Sequence, residues 1–433
     1  MALGGGTFTS MNKVLSGAYI NYVSAAKAQA QLNERGTAAI PMILNWGVSG
    51  ITKIEKEDFE TDSMNVLGYS FDASEMLPFR EFFKNGKTLY VYNLNNGAKA
   101  SCDISTAKCV GVRGNDIKHV VSVNVDDAQK FDVSTYVGTY LADKQTVDSS
   151  ASLIDNNFVE FKKDAELKAS AGVSLSGGTN GEVTGAEHQN ALDALETVSF
   201  NILGCMSSET TVKGLYASYT KRMRDDMGIK FQLVAHNHKA DYIGALSIKN
   251  KVNNVDAELY ALVPWVAGAE AGCELNKTCE NMSYDGEYDI NTDYKQSDLT
   301  KAIKEGEFVF HKYGDDVCVL SDINTFVSFT NEMTEDFQLN QVIRVLDETA
   351  LQQASIFNTR YLGKVQNVTD GRIAYWNDCV DVCKELQKIN ALEQFESDDI
   401  TVEKGNDKRS VVLKTNLMPA CAMSKLYSTI YVS

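Results

Sequence analysis

An alternation of helix and strand patterns that stops in mid-chain and then resumes constrains the fold more than any other feature. The apolar run at 38–44 predicts a buried strand, Leu77–Phe83 predicts a helix that ends at Asn85-Gly86, and 88–92 predicts the next strand. The pattern resumes with a helix around 191–195, a strand at 200–205, an amphipathic helix over 212–223 and a strand at 231–235. Because helix followed by strand is typical of α/β proteins, we predict one α/β domain split by an insertion.

The insertion, residues 98–181, has a different texture. Short pieces rich in Thr and Val alternate with turn residues at 120–125, 136–141 and 158–161, as is typical of β-structure. The insertion closes on the glycine-rich segment Ser176–Gly181, which we interpret as the turn where the chain re-enters the α/β domain. We therefore predict a small β-sandwich.

An acidic loop at 285–298 and two hairpin-like strands, 307–310 and 316–320, precede a region of different pattern. Two long helices follow, and then come strands at 400–403 and 411–415. The apolar stripes of these helices consist of Val342, Val345, Leu346, Thr349 and Ala350, and of Ile373, Trp376, Val380, Cys383 and Leu386. The pattern predicts a C-terminal α+β domain.

Both ends of the chain carry strand patterns without a core of their own. Tyr19–Val23 lies in a nearly uncharged stretch, and Leu426–Ser433 has apolar side chains on both faces. A strand of this kind must pair with another strand, in its own chain or in a second one. We predict an N-terminal arm at 1–25, an α/β core at 26–97 and 182–330, the insertion at 98–181, and a C-terminal assembly domain with a terminal arm at 331–433.

The charge balance argues against two classes of partner. The 433 residues contain 41 Lys plus Arg and 58 Asp plus Glu, a formal net charge of −17. So acidic a chain is unsuited to nucleic acid or anionic lipid, which need clustered cations. The longest uncharged apolar run, Leu259–Ala269, is shorter than the ~20 residues that span a bilayer. No apolar stretch follows a basic start, so we expect a soluble protein made in the cytoplasm.

His236-Asn237-His238 is the pattern that comes closest to a metal site. Both side chains would point to the same face if the preceding strand continued through them, and a His pair can bind metal. No third ligand with supporting spacing is visible, so we favour a polar loop at the end of a strand.

Asp285, Glu287 and Asp289 resemble the beginning of a calcium-binding loop. That loop requires Gly at its sixth position and Glu at its twelfth, where this chain has Ile290 and Gln296. We therefore interpret the segment as a solvated acidic loop.

The remaining motifs do not predict chemistry. Ser176–Gly181 lacks the Gly-Lys-Ser/Thr ending of a phosphate-binding loop, and no Gly-x-Ser-x-Gly elbow occurs. Cys379 and Cys383 stand one helical turn apart without a second pair, which favours small buried side chains over metal ligands. We predict no catalytic residue, no metal and no cofactor.

Several segments together resemble one family, the tail sheath proteins of contractile phages and of phage-tail-like (R-type) bacteriocins, in the branch found in Gram-positive bacteria. Cys109 replaces a Tyr of the family pattern Ala-Lys-Tyr-x-Gly-x-Arg-Gly-Asn-Asp. The segments that carry the resemblance are Leu3–Phe8, Gly17–Val23, Ala107–Asp116, Leu175–Gly181, Asp322–Phe326, Arg344–Asp347, Tyr361–Val365 and Asp370–Arg372.

The resemblance implies a mechanical function. Such proteins form hexameric rings stacked around a tail tube, between a baseplate and a tail terminator. Their contraction drives the tube through a bacterial envelope. The implied core has a subtilisin-like topology without the catalytic residues, and terminal arms of neighbouring subunits add strands to each other's C-terminal domains. The implied location is a virion tail or a tail-like particle.

The resemblance also directs attention to particular residues. Gly17 and Ser424, beside the two strand patterns, are candidate hinges. Lys221, Arg222 and Arg224 are candidate cations for contacts between acidic subunits. The candidate strand arms contain Tyr19, Ile20, Tyr22, Val23, Leu426, Tyr427, Ile430, Tyr431 and Val432.

Two other functions stay open at this point. An α/β hydrolase-like enzyme would turn over an ester or peptide substrate. A static tube or capsid protein would assemble without a contracted form.

Overall fold

The computed structural model describes residues 34–432. The strands in this part of the chain are β1 (Thr37–Met42), β2 (Gly50–Glu55), β3 (Thr88–Asn93), β4 (Ser105–Ala107), β5 (Ile117–Val123), β6 (Phe131–Val137), β7 (Tyr140–Val147), β8 (Val159–Phe161), β9 (Ser170–Ser174), β10 (Ile202–Cys205), β11 (Gln232–His236), β12 (Ala245–Ile248), β13 (Glu307–Tyr313), β14 (Asp316–Ser321), β15 (Ile400–Lys404) and β16 (Val411–Thr415). The α-helices are α1 (Lys56–Leu67), α2 (Leu77–Phe83), α3 (Gly185–Leu195), α4 (Thr210–Lys221), α5 (Val263–Gly272), α6 (Gln296–Lys304), α7 (Asn340–Ile356) and α8 (Thr369–Lys388).

An eight-stranded sheet, in the order β14-β13-β12-β11-β10-β1-β3-β2, forms the centre of the core. Its inner strands pair in parallel, and the edge strands β2 and β14 pair antiparallel. The strands predicted at 38–44, 88–92, 200–205 and 231–235 are confirmed as β1, β3, β10 and β11. The chain therefore enters the sheet before the insertion and completes it afterwards.

Both faces of this sheet are covered, which explains why its inner strands are apolar throughout. Successive side chains of a strand point to opposite faces, so Ile40 of β1 joins one apolar cluster and Ala39 joins the other. Trp265 of α5 anchors the first cluster and Tyr216 of α4 the second, and both side chains are completely buried.

The insertion folds as two small sheets, one of four strands in the order β7-β6-β5-β9 and one formed by β4 and β8. The single strand predicted at 136–141 is wrong. Gly138 adopts a positive φ of 61° and forms a turn between β6 and β7, so the segment is divided between two strands.

The two ends of the insertion lie side by side. The Ala98 N–H donates to Thr179 Oγ1 (3.1 Å), and the Thr179 N–H donates to the Ala98 carbonyl (3.2 Å). A Cβ on Gly97 would lie 1.8 Å from the Thr179 carbonyl oxygen, so only glycine fits this crossing. The Asn95 side-chain amide also donates to Asn180 Oδ1 (2.8 Å). The glycine-rich segment is therefore part of the junction at which the chain re-enters the core.

The C-terminal domain consists of α7, a π-helical turn at Phe357–Tyr361, α8 and the hairpin β15–β16. Cys379 and Cys383 are buried in its apolar cluster, beside Val380 and Leu386. Ile373 was assigned to the same apolar stripe, but 51 % of its surface is exposed. The first turns of α8 therefore present an apolar side chain to solvent.

Candidate assembly surfaces

The hairpin β15–β16 has two open edges. In an antiparallel ladder, hydrogen-bonded residue pairs alternate with pairs that do not bond to each other. The Asn416 N–H donates to the Asp399 carbonyl (2.9 Å), so the register makes 401–414 and 403–412 the next hydrogen-bonded pairs. Ile400, Val402 and Lys404 therefore direct their backbone groups away from β16, and the opposite residues 411, 413 and 415 direct theirs away from β15. Within residues 34–432 no other strand pairs with either edge.

A groove of about 560 Å³ runs along the free edge of β15. Its walls include Ile373 and Trp376 of α8, together with Val402. The Trp376 Nε1–H donates to the Ile400 carbonyl (2.8 Å), which satisfies one outward-facing acceptor at the beginning of the strand. The remaining groove combines an apolar wall with unpaired backbone groups, the combination that an added strand requires.

A second groove, of about 580 Å³, lies beneath the tip of the hairpin where β16 begins. Phe357, Tyr361 and Val365 provide apolar surface, and residues 408–411 line the hairpin side. The Asn367 side-chain amide donates to the Ser410 carbonyl (2.8 Å) and holds the tip against the connection between α7 and α8.

The C-terminal arm, residues 420–432, forms no helix or strand in the described part of the chain. The Ala420 N–H donates to the Ala391 carbonyl, and the Ala422 N–H donates to Gln341 Oε1. Beyond this attachment the arm exposes large apolar side chains: Leu426 90 %, Tyr427 90 %, Ile430 85 %, Tyr431 90 % and Val432 94 %. Exposed apolar surface of this extent is typical of interaction sites, because its burial is favourable by about 1.5–3 kcal/mol for each large side chain.

The other arm residues fall outside this description. Tyr19, Ile20, Tyr22 and Val23, with the candidate hinge Gly17, lie outside the described residues. The candidate hinge Ser424 is exposed and lies within the C-terminal arm.

The three candidate cations have different environments. Lys221 is exposed, with its ammonium 5.9 Å from the centre of the Tyr242 ring, and Arg222 forms a surface ion pair with Glu196. Arg224 requires a correction, because it is only 2 % exposed and binds Asp347 within the same chain. A π-helical turn at Arg222–Asp226 follows α4. Arg224 comes four residues after Thr220 and eight after Tyr216, which are both completely buried, so helical spacing directs it toward the core.

A buried cluster of charges joins the core to the C-terminal domain. Arg344 of α7 donates from Nη1 to Glu270 of α5 (2.6 Å) and from Nη2 to Asp322 (2.9 Å), and these three side chains are at most 1 % exposed. The Asn340 amide also donates to Asp322 (2.8 Å). Glu270, Cys279 and Asp322 have ligand atoms within 4.8 Å of one another, but Arg344 binds the carboxylates that a metal ion would need. We call this cluster the interdomain joint.

The two carboxyl groups of the joint have pKa values shifted in opposite directions. Burial raises the pKa of Glu270 well above its ordinary value, and Asp322 beside it acts in the same direction. Burial also opposes ionisation of Asp322, but Arg344 and a hydrogen bond from Glu270 hold the pKa of Asp322 well below its usual range. These opposite shifts favour the proton on Glu270 and the negative charge on Asp322, beside Arg344.

Arg224 and Asp347 form a second tie across the same interface. The guanidinium donates to both carboxylate oxygens, at 2.7 and 2.8 Å, in the bidentate geometry that favours Arg over Lys. Arg224 comes from the core and Asp347 from α7, so the C-terminal domain is attached by charges at two points.

The structure separates His236 from His238. The strand β11 ends at His236, and Asn237 adopts a positive φ of 48°, so the chain turns between the two histidines. His236 is buried, and burial lowers its pKa to about 4. The interpretation as a strand end followed by a loop is confirmed.

The acidic residues of the calcium-like segment are bound by protein groups. Asp285 accepts from Trp265 Nε1 (2.8 Å), Glu287 pairs with Arg80 (2.6 Å), and Asp289 accepts from the amide of Asn253 (3.0 Å). These contacts attach the loop to the core.

A buried Ser-His pair in the insertion was not visible from the sequence. Ser105 Oγ lies 2.6 Å from His119 Nε2, and Thr135 Oγ1 lies 3.2 Å from His119 Nδ1. The three side chains are completely buried, and burial lowers the pKa of His119 to about 4. The distance suits a nucleophile and a base, but a substrate has no access, so the trio ties β4, β5 and β6 together.

None of the helices in the described part of the chain is long and apolar enough to cross a membrane.

Comparisons with known proteins identify the family. Family models match four consecutive segments: the N-terminal region of domain III of the tail sheath protein Gp18 (35–94), the phage tail sheath β-sandwich domain (95–180), the central domain (181–325) and the C-terminal domain (332–433). The phage-like element PBSX protein XkdK of Bacillus subtilis is 31 % identical, with 100 % of each chain covered. This chain belongs to the phage tail sheath protein family. The resemblance seen in the sequence motifs is thereby confirmed.

Solved structures agree with this assignment. A sheath tail protein of Desulfitobacterium hafniense is 36 % identical with a TM-score of 0.84, covering 95 % of this chain and 99 % of that chain. A sheath tail protein of Listeria innocua is 32 % identical with a TM-score of 0.78, covering 92 % and 94 %. The chain therefore has the sheath protein fold, with a β-sandwich domain and mixed α and β content. It is a structural, non-enzymatic component of a phage tail or tail-like particle, and the hydrolase alternative is wrong.

Proposed function

We propose that this tail sheath protein polymerises as stacked hexameric rings around a tail tube and contracts to drive the tube through a bacterial envelope. Family membership supports the sheath role. The contracted helical sheath of the anti-feeding prophage supports the contractile part through a similar fold, with a TM-score of 0.58 and 12 % identity. A chain of the anti-feeding prophage baseplate has a similar fold, with a TM-score of 0.55. The proposed partners are other copies of the chain, the tube, the baseplate and the terminator.

The link between subunits is strand addition at the β15–β16 hairpin. The hairpin offers outward-facing backbone groups on both edges, and the arm offers exposed apolar side chains without a strand partner. Main-chain hydrogen bonds between an arm and an edge hold subunits together. The apolar side chains of the arm pack into the grooves beside Trp376 and Tyr361. We assign one edge to the strand pattern at 426–433 of the C-terminal arm and the other to the strand pattern at 19–23 of the N-terminal arm, each from a neighbouring subunit.

The remaining proposals concern how contraction proceeds. Contraction uses the free-energy difference between two packings of the same subunits, so it requires no nucleotide. Bending near Gly17 and Ser424 lets the arms stay bound while subunits rotate. Lys221 and the exposed side of Arg222 meet acidic surface on a neighbour. The proposed domains are those predicted above, with a core of subtilisin-like topology and the insertion 98–181 on the outside of the particle.

Substitution of one backbone donor on each hairpin edge tests the proposal. Val402→Pro removes an outward-facing N–H from β15 and leaves the pairs with β16 intact, and Leu413→Pro does the same on β16. We expect both variants to remain folded and to form no long tubes in negative-stain electron microscopy. Val402→Ala, which keeps the N–H, should still form tubes. If both proline variants form tubes like the unsubstituted chain, the edges do not accept strands.

A further inference from the structure

The β15–β16 hairpin has one side packed on the helices and one side turned to solvent. Ile400 is buried in the apolar cluster of the C-terminal domain, and Val402 and Leu413 pack against that cluster. The alternate positions of both strands are exposed: Thr401, Glu403, Val412 and Lys414. The side of this sheet that faces the helices is therefore aliphatic, and the side that faces solvent is mainly polar.

A strand added to either free edge continues these two sides. Successive side chains of a strand point to opposite faces, whether it runs parallel or antiparallel to its neighbour. The groove beside β15 has Ile373 and Trp376 of α8 in its walls, and the groove beneath the hairpin tip has Phe357 and Tyr361. Both grooves lie between the hairpin and the helical side of the domain, so one face of an added strand fills them.

The C-terminal arm has two unlike faces over residues 426–432. In a strand, one face carries three aliphatic residues and a serine, and the other carries three residues with hydroxyl groups: Leu426, Ser428, Ile430 and Val432, opposite Tyr427, Thr429 and Tyr431. The large side chains of both faces are at least 85 % exposed in the single subunit. We call them the aliphatic face and the tyrosine face.

We propose that the aliphatic face of the arm packs against the C-terminal helices of the neighbouring subunit and that the tyrosine face is turned away from them. This inference rests on the proposed strand addition, and it identifies the side chains that fill the grooves. It holds for either edge of the hairpin, because both edges belong to one sheet with one helical side.

The hydroxyl groups decide between the two orientations. With the aliphatic face inward, burial removes apolar surface from water, and the only polar side chain enclosed is the small Ser428. With the tyrosine face inward, each buried tyrosine hydroxyl would need a hydrogen-bond partner. On the outward side the same hydroxyls remain hydrated, and the tyrosine rings lie beside Thr401, a favourable kind of cross-strand pair.

Two double variants of the full-length chain test the orientation. Leu426→Thr with Ile430→Thr makes the aliphatic face polar, and Tyr427→Thr with Tyr431→Thr is the matched control on the tyrosine face. Threonine favours strands, so both arms keep their tendency to pair. Sedimentation and negative-stain electron microscopy measure the protein concentration at which tubes first form. We expect the first variant to raise this concentration about tenfold or more, and the second to raise it less than about threefold.

Both variants should keep the unfolding midpoint of the unsubstituted chain, because these side chains lie outside the buried apolar clusters. Effects of equal size, or a larger effect from the tyrosine variant, would overturn the orientation. A chain without residues 426–433 distinguishes that result from failure of the proposed function. If this chain forms no tubes, strand addition by the arm stands and only the orientation is lost. If it forms tubes normally, both fail.

Discussion

The interdomain joint and the C-terminal arm reverse the usual distribution of side chains: the joint buries charged groups, and the arm exposes apolar ones. In the joint, Arg344, Glu270 and Asp322 are at most 1 % exposed and meet at hydrogen-bond distance. In the arm, Tyr431 and Val432 are at least 90 % exposed. The buried charged groups of the joint have fixed partners within the subunit, because few other arrangements would pair them all. The exposed apolar arm and the open strand edges can instead accept a partner from another subunit.

The contrast indicates where a sheath subunit can change. A buried ion cluster resists rearrangement, since separating one charge leaves the others unpaired in a low-dielectric interior. Strand addition tolerates rotation of the attached subunits when the arm bends outside the paired residues. We therefore expect the core and the C-terminal domain to move together, and we expect the change between subunits to occur in the arms.

Breaking the joint should have the largest effect on stability. Arg344→Met removes the cation between Glu270 and Asp322 and leaves an ionised carboxylate buried without its partner. We expect a loss of about 3–5 kcal/mol in the free energy of unfolding, measured by urea titration. Arg222→Met, which breaks a surface ion pair, is the matched control and should change stability little.

A free energy of unfolding for Arg344→Met within about 1 kcal/mol of that of the unsubstituted chain would contradict the account. The loss of an exposed ion pair would produce a change of that size without any buried cluster.

The second-largest effect should be a loss of stability of the insertion at acid pH. His119 has a folded pKa of about 4 against an ordinary value of 6.5, so the unfolded state binds the extra proton first. Its contribution is fully present above pH 6.5, decreases as the pH falls from 6.5, and is lost once the pH has fallen through about 4. We expect the loss to approach about 3 kcal/mol. His119→Gln should remove this part of the pH dependence, and unfolding of both proteins at pH 7 and pH 4.5 measures it. Equal losses in the two proteins would contradict the assignment.

Substitution at the two histidines should have the smallest effect. His236→Gln together with His238→Gln removes the imidazoles and retains polarity. Because the histidines lie on either side of a turn and bind no common group, extended particles carrying both changes should still contract after acid or denaturant. Electron microscopy before and after the trigger checks this. Contraction that requires added zinc or ATP would show that a chemical site had been misread as a loop.

Periodicity predicted the regular elements but not the long-range contacts. The apolar spacing of α4, α7 and α8 and the apolar runs of β1 and β11 were enough to place these elements. The pairing of Glu270 with Arg344 was missed because 74 residues separate them. A signal was present, since Glu270 is a single ionisable residue at the end of an otherwise apolar helix, and a buried carboxyl group needs a polar partner.

Two other errors have local causes. Arg224 was expected on the surface because it is a cation, yet it follows the buried Tyr216 and Thr220 at a spacing of four residues, which places it on the inward face of the helix. The turn at Gly138 was missed because the residues around it are all good strand formers. The Ser105–His119 contact was not predictable, because alternation indicates which side chains are buried and not which of them meet.

Deletion of residues 426–433 tests the central claim most directly, because it separates assembly from folding. The truncated chain retains the joint, the hairpin and every buried apolar cluster. We expect it to purify as a folded monomer with the unfolding midpoint of the full chain and to form no tubes in electron microscopy. Normal tubes from the truncated chain would contradict the account, because assembly would then not depend on the C-terminal arm.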